Sequence, residues 1–416
     1  MAFTIRPQLY FGARRHTSQG GFEVRTTPAE KTRDYRARGW WGDTRIHDMF
    51  DANARANPDR LAIVDAPNRA DLVGTPPQRL SFSVAAALVD GYALSLARLG
   101  LGKDDVLVTQ LPNIAEYPAL YVAAMRLGII VSPVPMQFRR HELEQIVRLT
   151  NAKAILTIDQ LKGVDQIGIA LTLSADLSKE ALTLQVLSLR SATATTETPP
   201  GAIAFDAAAI DAQSIAELRS AIDTAAVDAD DIATICWTSG TEGTPKGVPR
   251  SHNHWYAISF AHLRGAGIQP GEVLLNPFPL INMAAIGGCF MSWMHNGGTL
   301  VLHHPLDLPT YLKQIAIERP QYAIAPPALL NMLLKNEALL ATVDLSSLRC
   351  IGSGSAPLDP EMIAGYRDRF GIEICNNCRE GCTRCLNGLL VLGIWAQNCW
   401  DTYVDCHSGN YVEKEP

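Results

Sequence analysis

Residues 105–131 read DVLVTQLPNIAEYPALYVAAMRLGIIV. Val106 to Thr109 form an apolar run of strand length, and from Asn113 to Leu127 the apolar residues recur at helical spacing, with Gly128 placed to end the helix. A second short buried run, Ile129 to Val131, follows at once. Beyond it the spacing predicts a helix from His141 to Leu149 and a strand from Ala154 to Ile158. Parallel strands are joined only by crossovers, so strand, helix and strand in alternation call for a mostly parallel sheet with helices laid on its faces. The fold class is therefore α/β.

The alternation returns towards the C-terminus. Helices are expected near Tyr311–Glu318, Ala328–Lys335 and Pro360–Phe370, and strands at Tyr322–Ala325, Arg349–Gly352 and Ile372–Cys375. Residues 191–231 are rich in Ala, Thr, Asp and Ser and contain Pro199-Pro200, which marks a surface linker and subdomain boundary with one helix around Ile215–Ile222. Residues 1–38 are polar and basic without a sustained period, so they read as an irregular N-terminal arm, with order beginning near Trp40. No fixed-period repeat supports a solenoid.

Of the 416 residues, 47% are hydrophobic and 19% charged, a balance that supports a large buried core and excludes wholesale disorder. At roughly 100–200 residues per domain, that length implies two or three domains. The net charge of −6 argues against a nucleic-acid binder or a polybasic membrane-surface protein and leaves small molecules as the expected partners. No stretch reaches the roughly 18 consecutive apolar residues of a membrane span. The opening Met1 to Pro7 lacks the apolar core of a secretory leader, while Arg14, Arg15 and Arg25 with few early acids leave a transit peptide open. Only Cys236, Cys289 and Cys350 precede residue 375, the sparse usage of a reducing compartment, so the expected location is cytoplasmic.

The chemistry is concentrated in Ile235-Cys236-Trp237-Thr238-Ser239-Gly240-Thr241-Glu242-Gly243-Thr244-Pro245-Lys246-Gly247-Val248. Glycines let backbone N–H groups turn towards an anion, the hydroxyls add donors, and Lys246 supplies a mobile positive charge, so the composition suits a polyphosphate. A flexible surface turn has the same composition. The Walker A arrangement is excluded, because Pro245 precedes Lys246 and Gly247 follows it.

Thr238 to Val248 closely resembles the phosphate loop of the adenylate-forming acyl-CoA synthetase superfamily. Ser251-His252-Asn253, Pro277-Phe278-Pro279-Leu280, Leu127 to Val134 and Gly352-Ser353-Gly354-Ser355-Ala356-Pro357-Leu358 resemble further segments of it, so the likeness runs from about Trp40 to Ile374. It implies the large N-terminal domain of those enzymes over residues 39–374, built of layered α/β subdomains. The implied activity is ATP-dependent activation of a carboxylic acid to acyl-AMP and then acyl-CoA, by an AMP-forming acid:CoA ligase with ATP, Mg2+ and coenzyme A. By the same resemblance Thr238, Ser239, Gly240, Thr241, Gly243, Thr244 and Lys246 hold the β and γ phosphates, with Lys246 as the catalytic cation.

Gly354, Ser355, Ala356 and Pro357 are implied to lie against adenine, although a helix N-terminal turn explains Ser355 and Pro357 equally well. Asn282 and Met283 are implied at the acyl substrate, with the small and apolar residues to Gly287 as pocket or plain core. His252 reads as packed behind the loop and satisfied by backbone. Tyr35 to Asp43 resembles the openings of alicyclic-acid CoA ligases and aryl-acid AMP ligases, which points to a fatty, alicyclic or aromatic acid.

The resemblance fails after Ile374. In place of the family's metal-binding glutamate stretch the chain reads Cys375-Asn376-Asn377-Cys378-Arg379-Glu380-Gly381-Cys382, of which Glu380 is the remnant candidate for Mg2+. Residues 375–416 carry six of the nine cysteines and read as an aberrant Cys- and Trp-rich tail, the product of a shifted frame, altered splice or truncated gene, with the family's small C-terminal domain and its lysine absent. Three residues between Cys375-x2-Cys378 and Cys382-x2-Cys385 is too short for ordinary zinc spacing. Two alternatives stand beside the CoA ligase: an aryl-acid AMP ligase that loads a carrier protein, and a non-catalytic remnant that binds nucleotide or acyl ligand.

Overall fold

Leu107 and Val108 are neighbours in one strand yet belong to different cores, because successive side chains leave a strand on opposite faces and both faces here are covered. Leu274 and Leu275, Leu300 and Val301, and Ile63 and Val64 divide in the same way in a second sheet. The computed structural model describes residues 27–189, 197–238, 245–303, 305–354 and 358–376, preceded by a short antiparallel pair, Arg15–His16 and Phe22–Glu23.

The first sheet has seven strands in the spatial order Ile203–Ala204, Gln185–Leu189, Ala154–Ile158, Val106–Gln110, Ile130–Pro133, Ile232–Thr238, Lys246–Ser251. All its pairs are parallel except the last. The second sheet, also of seven, runs Glu373–Asn376, Cys350–Ser353, Tyr322–Ile324, Val273–Asn276, Thr299–Leu302, Leu61–Val64, Arg79–Ser81, again parallel but for its last pair. Helices Ile46–Ala56, Phe82–Arg98, Glu116–Arg126 and His252–Ala266 lie between the sheets and share one apolar core with both. Arg140–Thr150 and Gln166–Ser178 cover the outer face of the first sheet. Leu308–Glu318, Pro327–Lys335 and Pro360–Phe370 cover that of the second. The result is five layers, helices and sheets alternating, as the α/β reading requires.

Some expected elements move. The helix expected from Asn113 starts at Glu116, because Asn113 is drawn into contacts across the sheets, described below; its far end keeps Gly128 at φ 67°. Within the segment read as a linker, Asp211 caps a helix, Ala212–Ala225, and Phe205 stacks on Tyr92 at 5.3 Å. In the arm read as irregular, Ala29–Ala37 is helical; Tyr35 is buried and Arg36 reaches Asp230 at 3.0 Å. Cys375 and Asn376, assigned to the tail, are the last residues of the strand Glu373–Asn376. Among the described residues no helix is long and apolar enough to cross a membrane.

Candidate active site

Ile232–Thr238 and Lys246–Ser251 pair with Trp237 opposite Gly247 and Thr238 opposite Lys246. The two ends of the glycine- and hydroxyl-rich loop therefore face each other at the end of a strand ladder. Ser239, Gly240, Thr241, Gly243 and Thr244 lie outside the described residues, as does Glu242; of Thr238 and Lys246 the backbone is described. The stem is tightly built. Trp237 Nε1 donates to Ser132 Oγ at 2.8 Å on the neighbouring strand. A Cβ at position 247 would stand 2.9 Å from Ile235 Cγ2 and 3.1 Å from Trp237 Cη2, so a larger residue here forces those side chains to shift.

Behind the stem, Ser251 caps the helix His252–Ala266: its Oγ accepts from the His254 N–H at 3.2 Å, and its own N–H donates to His254 Nδ1 at 3.0 Å. His252 Nδ1 accepts from the Ile46 N–H at 3.2 Å. His252 is thus a buried histidine satisfied by backbone, as the sequence suggests. Burial pushes His252 down to about 4, against the pull of Asp231, and His254 down to about 3, where Arg250 adds to the effect.

Open parallel α/β sheets hold their ligands at the carboxyl ends of their strands. In the second sheet those ends are Val64, Asn276, Leu302, Ile324, Ser353 and Asn376. Asn276 and Ser353 are fully buried, yet among the described residues Asn276 Nδ2 and Ser353 Oγ find no hydrogen-bond partner. Buried polar groups are ordinarily paired, so an orphaned donor and hydroxyl at this edge fit a polar ligand. Sequence reading missed both; the one signal was a polar residue ending an apolar strand. Gly354 follows Ser353 directly, whereas Ser355, Ala356 and Pro357 lie outside the described residues.

Asn276 Oδ1 accepts from the Phe278 N–H at 3.1 Å and so starts the loop 277–281. The helix Glu116–Arg126 and the turn before it grip that loop: Asn113 Nδ2 donates to the Phe278 carbonyl at 2.7 Å, Asn113 Oδ1 accepts from the Leu280 N–H at 3.0 Å, and the Tyr121 hydroxyl donates to the Leu280 carbonyl at 2.8 Å. Nearby, buried Arg69 bonds Asp65 at 2.6 Å and holds both oxygens of Glu116, while Asp65 Oδ1 accepts from the Ala115 N–H at 2.7 Å. A charged network thereby anchors the first turn of Glu116–Arg126 to the second sheet.

Asn282 is exposed and caps a short helix, Met283–Ala285, its Oδ1 accepting from the Ala285 N–H at 3.0 Å. Met283 is 41% exposed, but Ala285 and Ile286 are core, so the apolar run that follows Asn282 does not form a pocket wall as a whole. It continues into a π-helical turn, Ile286–Met291, where Ser292 Oγ donates to the Gly287 carbonyl at 3.0 Å. Such turns recur at functional sites. Among the described residues no three His, Cys, Asp or Glu side chains are grouped to hold a metal ion; Glu380 lies outside them.

The AMP-binding enzyme family matches residues 50–383. The probable CoA ligase CCL5 of Humulus lupulus is 28% identical over 326 residues, which cover 76% of this chain and 54% of that one. The medium-chain fatty-acid–CoA ligase of Escherichia coli is 27% identical over 246 residues, 59% of this chain and 40% of that one. The chain thus spans about half the length of these relatives. The apo structure of MbtA from Mycobacterium smegmatis shares the fold, with a TM-score of 0.65 and 22% identity over 83% of this chain and 59% of that one.

Proposed function

Because the chain belongs to the AMP-binding enzymes, we propose that it binds ATP between the end of the first sheet marked by Thr238 and Lys246 and that of the second marked by Gly354, activates a carboxylic acid there to its acyl-AMP, and passes the acyl group to coenzyme A in the cytoplasm. In this reading a carboxylate oxygen attacks the α-phosphorus and pyrophosphate leaves. Such chemistry asks the protein for positioning and for neutralisation of charge. Lys246 and the donors of Thr238, Ser239, Gly240, Thr241, Gly243 and Thr244 hold the β and γ phosphates. Gly354, Ser355, Ala356 and Pro357 lie along adenine, with the orphaned Ser353 Oγ and Asn276 Nδ2 as polar contacts to the nucleotide.

Asn282 has its Oδ1 engaged in the cap, so its Nδ2 amide is the group that meets the acyl carboxylate, and Met283 lies along the acid's chain. The acid is fatty, alicyclic or aromatic, a choice in keeping with the medium-chain fatty-acid specificity in the name of the E. coli relative.

The observation that carries the reading is the pairing of Thr238 with Lys246, which closes a loop of phosphate-cradling composition onto one point. Calorimetric titration of ATP into the protein and into Lys246→Ala tests it. Loss of a charged hydrogen bond costs about 1.5–3 kcal/mol, so the variant should bind at least about tenfold more weakly. Equal affinity for the two forms would overturn the assignment.

A further inference from the structure

Cys350 and Cys375 lie on adjacent strands of the second sheet, Cys350–Ser353 and Glu373–Asn376. The pairing puts Glu373 opposite Cys350 and Cys375 opposite Gly352, so the two thiols leave the same face of the sheet on a diagonal of the ladder. Their Sγ atoms are 3.1 Å apart. Both residues are buried, at 1% and 7% exposure, and Cys375 Sγ is also 3.8 Å from the Gly265 carbonyl oxygen at the end of His252–Ala266. The other two described thiols are differently placed: Cys236 faces the Thr234 hydroxyl and Cys289 the Leu275 carbonyl. A disulfide needs its sulfurs at about 2.05 Å on side chains that already converge, and this pair converges.

We propose that Cys350 and Cys375 form an oxidative modification site, a dithiol that closes to a disulfide across the outer strands of the second sheet. With hydrogen peroxide as oxidant, the Cys375 thiolate, on the more exposed of the two residues, attacks a peroxide oxygen. The O–O bond breaks, the departing hydroxide takes up a proton to leave as water, and Cys375 carries a sulfenic acid. The Cys350 thiolate then attacks that sulfur, the S–S bond forms, the S–O bond breaks, and a second water leaves. Two thiols are oxidised, one peroxide is reduced, and both thiol protons end in water. The link encloses residues 351–374, which include Gly354 and the helix Pro360–Phe370. Where thiols are otherwise kept reduced, a bond of this kind is transient and redox-sensing rather than structural.

The full chain, exposed to hydrogen peroxide, blocked with N-ethylmaleimide and digested with trypsin without reductant, tests this by mass spectrometry. Cleavage at Arg349, Arg367, Arg369 and Arg379 releases residues 350–367 and 370–379 as separate peptides. The second peptide also carries Cys378, so Cys378→Ser is treated in parallel. The expected result is a reductant-sensitive link between the two peptides in both proteins, absent from Cys350→Ser. Blocking of Cys350 in the unfolded, peroxide-treated chain should fall at least about tenfold while Cys236 and Cys289 stay fully reactive. A link that disappears in Cys378→Ser, or a Cys350 that remains as reactive as Cys289, overturns the proposal.

Discussion

The indole N–H of Trp237 donates to Ser132 Oγ at 2.8 Å, so the strand that leads into the glycine-rich loop is pinned to the neighbouring strand by side chains where their backbone pairing is sparse. Ser132→Ala would leave that N–H without its partner and should lower unfolding stability by about 1 kcal/mol. Gly247→Ala pushes a methyl against Ile235 and Trp237 from the opposite side and should cost about 1–3 kcal/mol. Urea denaturation reads both effects, and an unshifted midpoint in either variant would show that the stem is looser than described.

Asn113 makes two backbone bonds to the loop 277–281 from the far side of the central core. Asn113→Ala removes both and leaves the half-buried Phe278 carbonyl and the buried Leu280 N–H without these partners, for an expected loss of about 2–4 kcal/mol. Asn113→Asp keeps the acceptor for Leu280 but sets a negative charge against the Phe278 carbonyl, so it should recover only part of the loss. Full recovery would mean that the bond to Phe278 contributes nothing.

The buried histidines predict an acid-sensitive fold. Burial holds His252, His262 and His295 at about 4 and His254 at about 3, below the ordinary 6.5. As pH falls through 6.5 the unfolded chain takes up protons that the native chain refuses. Stability is therefore full above about pH 6.5 and declines towards pH 4, by up to about 1.4 kcal/mol per pH unit for each such histidine. His252→Gln keeps an acceptor for the Ile46 N–H and should flatten the decline between pH 6.5 and 5 by about one histidine's share. An unchanged slope of unfolding free energy against pH would contradict the burial of that ring.

Met283→Trp should narrow the space along the acid's chain. Acid-dependent exchange of pyrophosphate into ATP, measured over acids of increasing length, should then lose the longer acids first. An unchanged profile removes Met283 from the acyl site.

Pro360–Phe370 is legible to the residue because its ends are written locally: Asp359 accepts from the Glu361 N–H, proline opens the helix, and Gly371 closes it at φ 67°. Ala154–Ile158 is equally legible, a short apolar run bounded on both sides. Ala29–Ala37 is not, since Tyr35 is its one buried residue and its attachment is through the pairing of Arg36 with Asp230, nearly two hundred residues away. Phe82–Arg98 escapes for the opposite reason, being so apolar that the period is hard to separate from a continuous run. At the site, the composition of the loop announces itself, but Asn276, Ser353 and Asn113 owe their significance to neighbours from other strands and helices, which spacing along the chain does not encode.

The second sheet is assembled from two distant parts of the chain. Ile63 pairs with Leu300, and everything in the first sheet is spelled out between them. During synthesis the strand Leu61–Val64 emerges long before the strand it must join, and the residues of the first sheet, together with the hairpin that frames the glycine-rich loop, are complete first. The order of translation thus builds one half of the molecule while the other waits with an open edge. The early strand is four residues long and is backed at once by Arg79–Ser81, which limits what that edge can recruit in the interval.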